Sequence, residues 1–456
     1  MAIWFVYHNP FGFYKIPKRI NLNEKPAPAV MAGGINGDNC SHYWLEDDGM
    51  IEKKSTRVRA SKPPYRVPSM KEIAKLRGTN GFKIVSTFSG CGGSCLGFEM
   101  AGFEVVWANE FIPAARETYK LNHPGVLMDK RDIREVTAKD ILRVTGLKVG
   151  ELDVLEGSPP CASFSTAGKR EAGWGMVKKY SDAEQRTDDL FFEYARLLEG
   201  LQPRVFVAEN VSGLVKGTAK GYFKMILARL KECGYRVSAR VLDAQWLGVP
   251  QTRQRLIFVG VRNDLNVEPA HPSPLPYRYS VAEACPWICI SIEHTSPKLR
   301  LGAHGHMAER LIDLTKKPSP IIMATGLVSY KYSIEDAAIE HGPSIEGYAI
   351  AAEAKKLLAS GGKSRYLNLS LAHKDRPSPT VTAIGGSSPG VASVIAPDGM
   401  RKFSIAELKR ICAFPDDFKL TGSYAQQWER LGRAVPPLMM RAVARTVKGL
   451  LERIDQ

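Results

Sequence analysis

The residues best suited to do chemistry lie in Ser158-Pro159-Pro160-Cys161. Two prolines stiffen the chain and hold the thiol that follows at a fixed place. A basic, glycine-containing stretch comes next (Gly168-Lys169-Arg170, Gly173, Gly175, Lys178-Lys179), which has the composition of a loop that closes on an anionic substrate. A rigid thiol beside such a loop suits a nucleophile. Glu209-Asn210-Val211 follows the apolar run Val205-Phe-Val-Ala208. A carboxyl at the end of a buried strand is desolvated, so its pKa rises and it can donate a proton near neutral pH. In Gln251-Thr-Arg253-Gln-Arg255, a period of two puts both guanidinium groups on one face, where they suit phosphate or a carbonyl-rich base edge. Each motif also has a plain structural use: a turn, a helix N-cap and a surface salt-bridge pair.

A fourth feature is the glycine turn Phe88-Ser-Gly90-Cys-Gly92-Gly93, between a predicted strand and a predicted helix. Such a turn lets backbone approach a ligand closely. Glu110 ends the next strand, where an acid accepts hydrogen bonds from ribose hydroxyls. Position 95 is Cys rather than the third glycine of a pyrophosphate-binding turn, so S-adenosylmethionine suits the site better than NAD.

These residues need elements to position them. Apolar runs at 82–88, 103–108, 152–155, 204–208 and 255–260 read as strands. Helical spacing follows the glycine turn to about residue 101 and recurs over 188–199 and 221–233. Alternation of this kind predicts an α/β domain with a mostly parallel, doubly wound sheet, which binds ligands at the carboxyl ends of its strands. Gly90, Gly92, Glu110, Pro160-Cys161 and Glu209 all fall at such ends. From about Asn263 the rhythm is lost, proline is dense over 269–286, and helical pattern returns over 401–452. A near-repeat occurs at Lys25-Pro-Ala-Pro-Ala-Val, Lys317-Pro-Ser-Pro-Ile-Ile and Arg376-Pro-Ser-Pro-Thr-Val.

The chain has 456 residues, 44% hydrophobic and 24% charged, with a net charge of +16. That composition excludes whole-chain disorder and a small disulfide scaffold. No apolar run approaches the ~18 residues of a membrane span, and the first residues lack a secretory basic region. The positive surplus favours a polyanionic partner, nucleic acid first. Nine basic residues and one acid, Glu72, lie between Lys53 and Arg77, whereas residues 263–375 balance at 12 of each sign. The eight cysteines show no zinc-ligand spacing, so no metal is expected and reduced thiols are.

From Phe82 to Gln456 the order of motifs resembles the DNA (cytosine-5)-methyltransferases. The resemblance rests on Phe88-Ser-Gly-Cys-Gly-Gly93, Ser158-Pro-Pro-Cys161, Glu209-Asn-Val211, Leu242-Asp-Ala with Gly248-Val-Pro-Gln251, Gln251-Thr-Arg-Gln-Arg255, Ala413-Phe-Pro-Asp-Asp-Phe418 and Gly432-Arg-Ala-Val-Pro-Pro437. It implies a doubly wound, Rossmann-like S-adenosylmethionine-dependent methyltransferase sheet with a second, smaller, irregular target-recognition domain. By position, Cys161 is similar to the nucleophile and Glu209 to the group that protonates ring nitrogen 3. Arg255, with Arg253 beside it, matches the support for the cytosine carbonyl and its phosphate. Phe88, Gly90, Gly92 and Gly93 match the cofactor wall, Glu110 the ribose acceptor, and Phe111, Asp132 and Ile133 the adenine contacts. Pro160, Leu190 and Val435 match the closing side of that pocket, and Arg433 adjoins it. Two positions depart from the family pattern: Ala162 stands where Gln is usual, and Arg433 where Asn is usual.

The expected organisation is a basic extension at 1–81, a catalytic cofactor-binding domain at 82–264, a target-recognition domain at 265–375, and a part completing the catalytic domain at 376–456. The expected partners are double-stranded DNA and a cognate restriction endonuclease, with no membrane. The expected setting is the cytoplasm, for a bacterial or phage-encoded enzyme that is a monomer on DNA. Rival readings are a tRNA cytosine-5 methyltransferase and a DNA-binding relative without catalysis.

Overall fold

Runs such as Lys83-Ile-Val-Ser-Thr87 and Leu256-Ile-Phe-Val-Gly-Val261 are rich in β-branched and aromatic residues and carry apolar side chains on both faces. That pattern belongs to sheets covered by helices on both sides. The computed structural model describes residues 62–160, 189–215, 219–289, 342–360, 364–366 and 368–456, with short strand segments outside them. The chain divides into two units, Met1–Ser61 and Lys62–Gln456. In the first, only the antiparallel pair Ala2–Ile3 with Ile20–Asn21 is described.

The second unit is built on seven strands: β1 (Lys83–Thr87), β2 (Glu104–Asn109), β3 (Leu127–Asp129), β4 (Val154–Gly157), β5 (Val205–Val211), β6 (Tyr235–Asp243) and β7 (Gln254–Arg262). Their order is β3-β2-β1-β4-β5-β7-β6. The pairs from β3 to β5 are parallel, and β7 runs antiparallel to both its neighbours. This is the doubly wound sheet that the sequence predicts. β5 runs two residues beyond Glu209, because β7 pairs with it through Ile257–Glu209 and Arg255–Val211. Glu209 therefore sits inside the strand rather than at its end.

The helices are α1 (Met70–Leu76), α2 (Gly93–Glu99), α3 (Pro113–Asn122), α4 (Ala138–Thr145), α5 (Leu190–Leu201), α6 (Lys220–Glu232), α7 (Val281–Ala284), α8 (Ala349–Ser360), α9 (Ile405–Ile411), α10 (Tyr424–Arg433) and α11 (Pro437–Ile454). Alternate residues of the strands go to opposite cores. Val205, Val207, Ile257 and Val259 pack with α2 and α11, while Phe206, Ala208, Leu256 and Phe258 pack with α5 and α6. Gly260 lies beneath Phe206, where a Cβ would stand 2.0 Å from the ring.

The C-terminal helices belong to this same core. At Gly97 of α2 a Cβ would lie 2.6 Å from Met440 Cβ and 2.8 Å from Pro437 O of α11. Residues just before β1 are tied down as well: Tyr65 is buried with its hydroxyl donating to Arg410 O at 2.6 Å, and Tyr279 donates to Pro63 O at 2.9 Å. Lys62 pairs with Glu283. The rest of the basic run, residues 53–61, lies outside the described residues, as do the first two copies of the near-repeat.

The close approach of α2 and α11 gives a stability test. Gly97→Ala should destabilise the protein by about 1–3 kcal/mol, because the backbones must separate. Gly449 of α11 has nothing within 4 Å of its Cβ position. There, Gly449→Ala should stabilise by about 0.5–1 kcal/mol, the usual helix-interior difference between the two residues. Thermal or denaturant unfolding of the two variants reads both signs.

Candidate active site

At the carboxyl ends of β1, β2, β4 and β5 the chain leaves a cleft of about 980 Å³. One wall is the glycine turn. Phe88 has φ 53° and Gly90 φ 57°, and Gly92 has φ 95° as the N-cap of α2. Only glycine fits at Gly92, since a Cβ there would lie 2.1 Å from His123 Nε2. His123 is fixed by a 3.0 Å hydrogen bond between its Nδ1 and Glu99, which also pairs with Arg77. At Gly93 a Cβ would stand 2.4 Å from Val435 O, so the turn and the start of α11 touch backbone to backbone.

Glu110, just beyond β2, faces the cleft. The N–H groups of Gly90 and Ile112 donate to its two carboxylate oxygens at 2.7 Å each. Burial pushes its pKa up, against the pull of those donors. Arg116 donates to the carbonyls of Glu110 and Phe111 at 3.1 Å, which fixes the turn that carries the Phe111 ring. Ile133, Pro160, Arg433 and Val435 line the same cleft.

Asp132, Leu190 and Gly92 do not line it among the described residues. Asp132 caps a short turn through Arg134 N–H and is paired with the Arg134 side chain at 3.0 Å. Leu190 is buried in the core at the start of α5. Arg433 pairs with Glu429 one turn earlier at 2.8 Å, on the cleft wall.

The other end of the cleft holds Glu209 and Arg255. The register of β5 and β7 sets them diagonally on one face, and Arg255 Nε meets Glu209 Oε1 at 2.7 Å. Both side chains are largely withdrawn from water. Burial raises the pKa of Glu209, with Arg255 and Arg253 pulling the other way. Burial also lowers the pKa of Arg255.

Arg253 does not act as its twin. It precedes β7, is 1% exposed, and donates to the carbonyls of Val381 at 3.0 Å, Gly432 at 2.8 Å and Arg433 at 3.2 Å. Burial brings its pKa down to about 9. The expected pair of parallel guanidinium groups is thus divided: one clamps main chain and the other meets the acid. A simple period-two reading missed this because Arg253 lies outside the strand.

Of the two segments that Arg253 grips, the one at Val381 was not assigned to the site from sequence. Ser378 exchanges backbone hydrogen bonds with Thr252 and Pro250 at 2.8 and 2.9 Å, so the third copy of the near-repeat runs beside the Arg motif. Thr380, Val381 and Thr382 then line the cleft. Their signal was the Pro-Ser-Pro-Thr-Val-Thr alternation.

Cys161 and the stretch after it to position 177 lie outside the described residues; Lys178–Tyr180 forms a short antiparallel strand pair with Ala183–Gln185. The chain that delivers Cys161 is described: Pro159 O accepts from Asn210 Nδ2 of β5 at 3.3 Å. The described cysteines are free and buried thiols, and burial pushes Cys91 up to about 12 and Cys412 up to about 11. Thiols with such values stay protonated and inert.

A doubly wound sheet with a glycine turn after its first strand and an acid after its second has the arrangement that takes a nucleoside-containing ligand at the carboxyl ends of its strands. The chain belongs to the C-5 cytosine-specific DNA methylases, whose family model matches residues 82–449. It is 29% identical over 378 residues to the type II methyltransferase M.NgoFVII of Neisseria gonorrhoeae, covering 83% of this chain and 89% of that one. It is 29% identical over 385 residues to M.FnuDI of Fusobacterium nucleatum, covering 81% and 95%. The fold is similar to that of a prophage-encoded E. coli protein assigned as a DNA modification methyltransferase, with TM-score 0.56 and 19% identity, covering 81% of this chain and 99% of that one. The protein is therefore a methyltransferase that acts on carbon 5 of cytosine in DNA. No described helix is long and apolar enough to cross a membrane.

The two arginines should separate by assay. Arg253→Ala removes the guanidinium donor from three carbonyls, those of Val381 and Gly432 in buried bonds, and should cost about 3 kcal/mol in stability. Arg255→Ala, at the rim of the same cleft, should lower methyl transfer far more than it lowers the unfolding midpoint. Unfolding curves and initial rates on the two purified variants decide it.

Proposed function

We propose that methylation proceeds through a covalent bond between Cys161 and carbon 6 of a cytosine swung out of the duplex. What carries this reading is the buried Glu209–Arg255 pair, in one cleft with Glu110 and with Pro160, the residue before Cys161. Carbon 5 of cytosine is a poor nucleophile. A thiolate adding at carbon 6 turns the ring into an enamine, whose carbon 5 can take up a methyl group. Glu209 gives its proton to ring nitrogen 3 as the sulfur adds, which keeps negative charge off the ring. Arg255 then faces a Glu209 carboxylate that it is already positioned to pair with. Loss of the carbon 5 proton expels the thiolate. A base inside a stacked duplex is out of reach, so it must flip.

The residues of the cleft fit S-adenosylmethionine. Glu110 offers a fixed carboxyl to a ribose, Phe111, Ile133 and Val435 offer apolar walls, and the glycine turn allows close backbone approach. When bound, that group supplies the electrophilic methyl. Arg433 and Glu429 form the polar edge of this pocket, where the family pattern has Asn in place of Arg433.

The remaining parts take roles from position. Residues 82–264 and 376–456 form the catalytic part, 265–375 read the target bases, and the basic residues before β1 meet phosphate. Base reading needs a few placed donors and acceptors rather than a net field, which accords with the balanced charge of 263–375. The two relatives named above are type II methyltransferases of bacteria, which accords with a cytoplasmic enzyme paired with a restriction endonuclease; its action as a monomer on DNA is part of the same proposal.

Duplex DNA carrying 5-fluorocytosine at target sites should trap the parent in a complex that survives denaturant, since the fluorine cannot leave. Cys161→Ser should not be trapped, and equal trapping contradicts the role. Glu209→Gln should bind DNA yet lose about 10²–10⁴-fold in rate, the usual contribution of general acid catalysis. Because Glu209 must carry a proton, the parent's rate should fall as pH rises through the raised pKa of this group.

A further inference from the structure

One wall of the cofactor pocket has its supports outside the cleft. Ile133 lines the cleft as the first residue of the one-turn helix Ile133–Glu135. That turn follows β3, whose last carbonyl, Asp129 O, accepts from Glu110 N–H at 3.1 Å. A single turn is too short to hold its own place. Its position comes from α5, through two arginines. Arg196 of α5 reaches the turn with Nη2, which donates to Ile133 O at 3.0 Å and Val136 O at 2.9 Å. Arg134, inside the turn, reaches the other way. Its Nε and Nη2 donate to the two oxygens of Asp189 at 3.1 and 2.6 Å, and its Nη1 donates to Asp132 Oδ2 at 3.0 Å. Asp189 stands at the N-cap of α5. Asp132 also accepts from Arg134 N–H at 3.0 Å, so the turn, the arginine and both acids form one unit.

Such a unit is a poor source of stability. The Arg134 and Asp189 side chains are 30% and 33% exposed, and an ion pair that wet contributes ~1 kcal/mol or less. Its geometry is another matter. Two parallel bonds from one guanidinium to one carboxylate fix direction as well as distance. Lysine cannot reproduce this, because its ammonium is a point charge without a flat fork. Held by Arg196 alone, the turn could pivot about the carbonyls of Ile133 and Val136. Held by Arg134 as well, it has a second anchor just before α5, about two helical turns from the first.

We propose that Arg134 is a positioning residue for the cofactor: by forking onto Asp189 while it holds Asp132, it sets the Ile133 wall of the nucleoside pocket. This rests on the reading of the cleft as the S-adenosylmethionine site. Neither Arg134 nor Asp189 is among the described residues that line the cleft, so both act through the turn between them. The consequence is a split between folding and binding. Breaking the fork costs little stability, because the pair is wet, but it releases the wall against which a nucleoside must pack.

The test is equilibrium binding of S-adenosylhomocysteine to the full chain by titration calorimetry, with thermal unfolding of each variant in the same buffer. Arg134→Met should weaken binding about ten-fold while its unfolding midpoint shifts little. Asp189→Asn should weaken binding in the same direction, and the double variant should be no worse than the worse single one, because the two residues act as a unit. Arg134→Lys keeps the charge and should not restore affinity; full affinity there would overturn the fork. Arg143→Met removes an exposed partner of Asp140 and should bind as the parent does, and an equal loss there would trace the effect to charge alone and overturn the role. In steady-state methylation by Arg134→Met, the KM for S-adenosylmethionine should rise and the KM for DNA should not. Should Arg134→Met fold poorly, Asp189→Asn decides alone. Parent-like affinity in Arg134→Met and Asp189→Asn, while Glu110→Gln binds weakly, overturns the positioning role and spares the cofactor reading. Undiminished binding by Glu110→Gln overturns the reading of the cleft itself.

Discussion

One buried cation holds the site together. Among the described residues Arg253 forms no ion pair; its partners are the main-chain carbonyls of Val381, Gly432 and Arg433. Those carbonyls lie 128 to 180 positions further along the chain. A guanidinium in a dry site must find donors' partners or pay heavily in lost hydration. The C-terminal segment therefore cannot leave without stranding both the charge and the carbonyls. That constraint brings Arg433 and Val435 to the cleft wall and holds the strand start from which Arg255 reaches Glu209.

The rest of the site follows from placing acids where water is scarce and answering each one differently. Glu110 is answered by two backbone N–H groups and Glu209 by a guanidinium. Burial raises the pKa of both, but the partners differ in what they permit. Backbone donors orient a carboxyl to receive hydroxyl groups. A nearby arginine stabilises the charge left after a proton has been given away.

Much of this was legible in the sequence. Strands buried on both faces, such as β1, β5 and β7, announce themselves as continuous apolar runs, and the glycine turn and Pro-Pro-Cys stretch stand directly after two of the strands. β6 was missed because Tyr235-Arg-Val-Ser-Ala-Arg240 alternates like a half-exposed edge strand, which is its place in the sheet. β3 was missed because it has three residues. The division of labour between Arg253 and Arg255 could not be read, since it depends on carbonyls distant in the chain.

The measurement that bears most directly on the central claim is a crystal structure of the full chain trapped on duplex DNA containing 5-fluorocytosine. The account predicts an extrahelical cytosine with carbon 6 bonded to Cys161 Sγ. Ring nitrogen 3 should lie within hydrogen-bonding distance of the Glu209 carboxyl, and the nucleoside product between Glu110 and Val435. A cytosine bound away from Glu209, or a nucleoside bound outside the cleft that Arg253 closes, would contradict it.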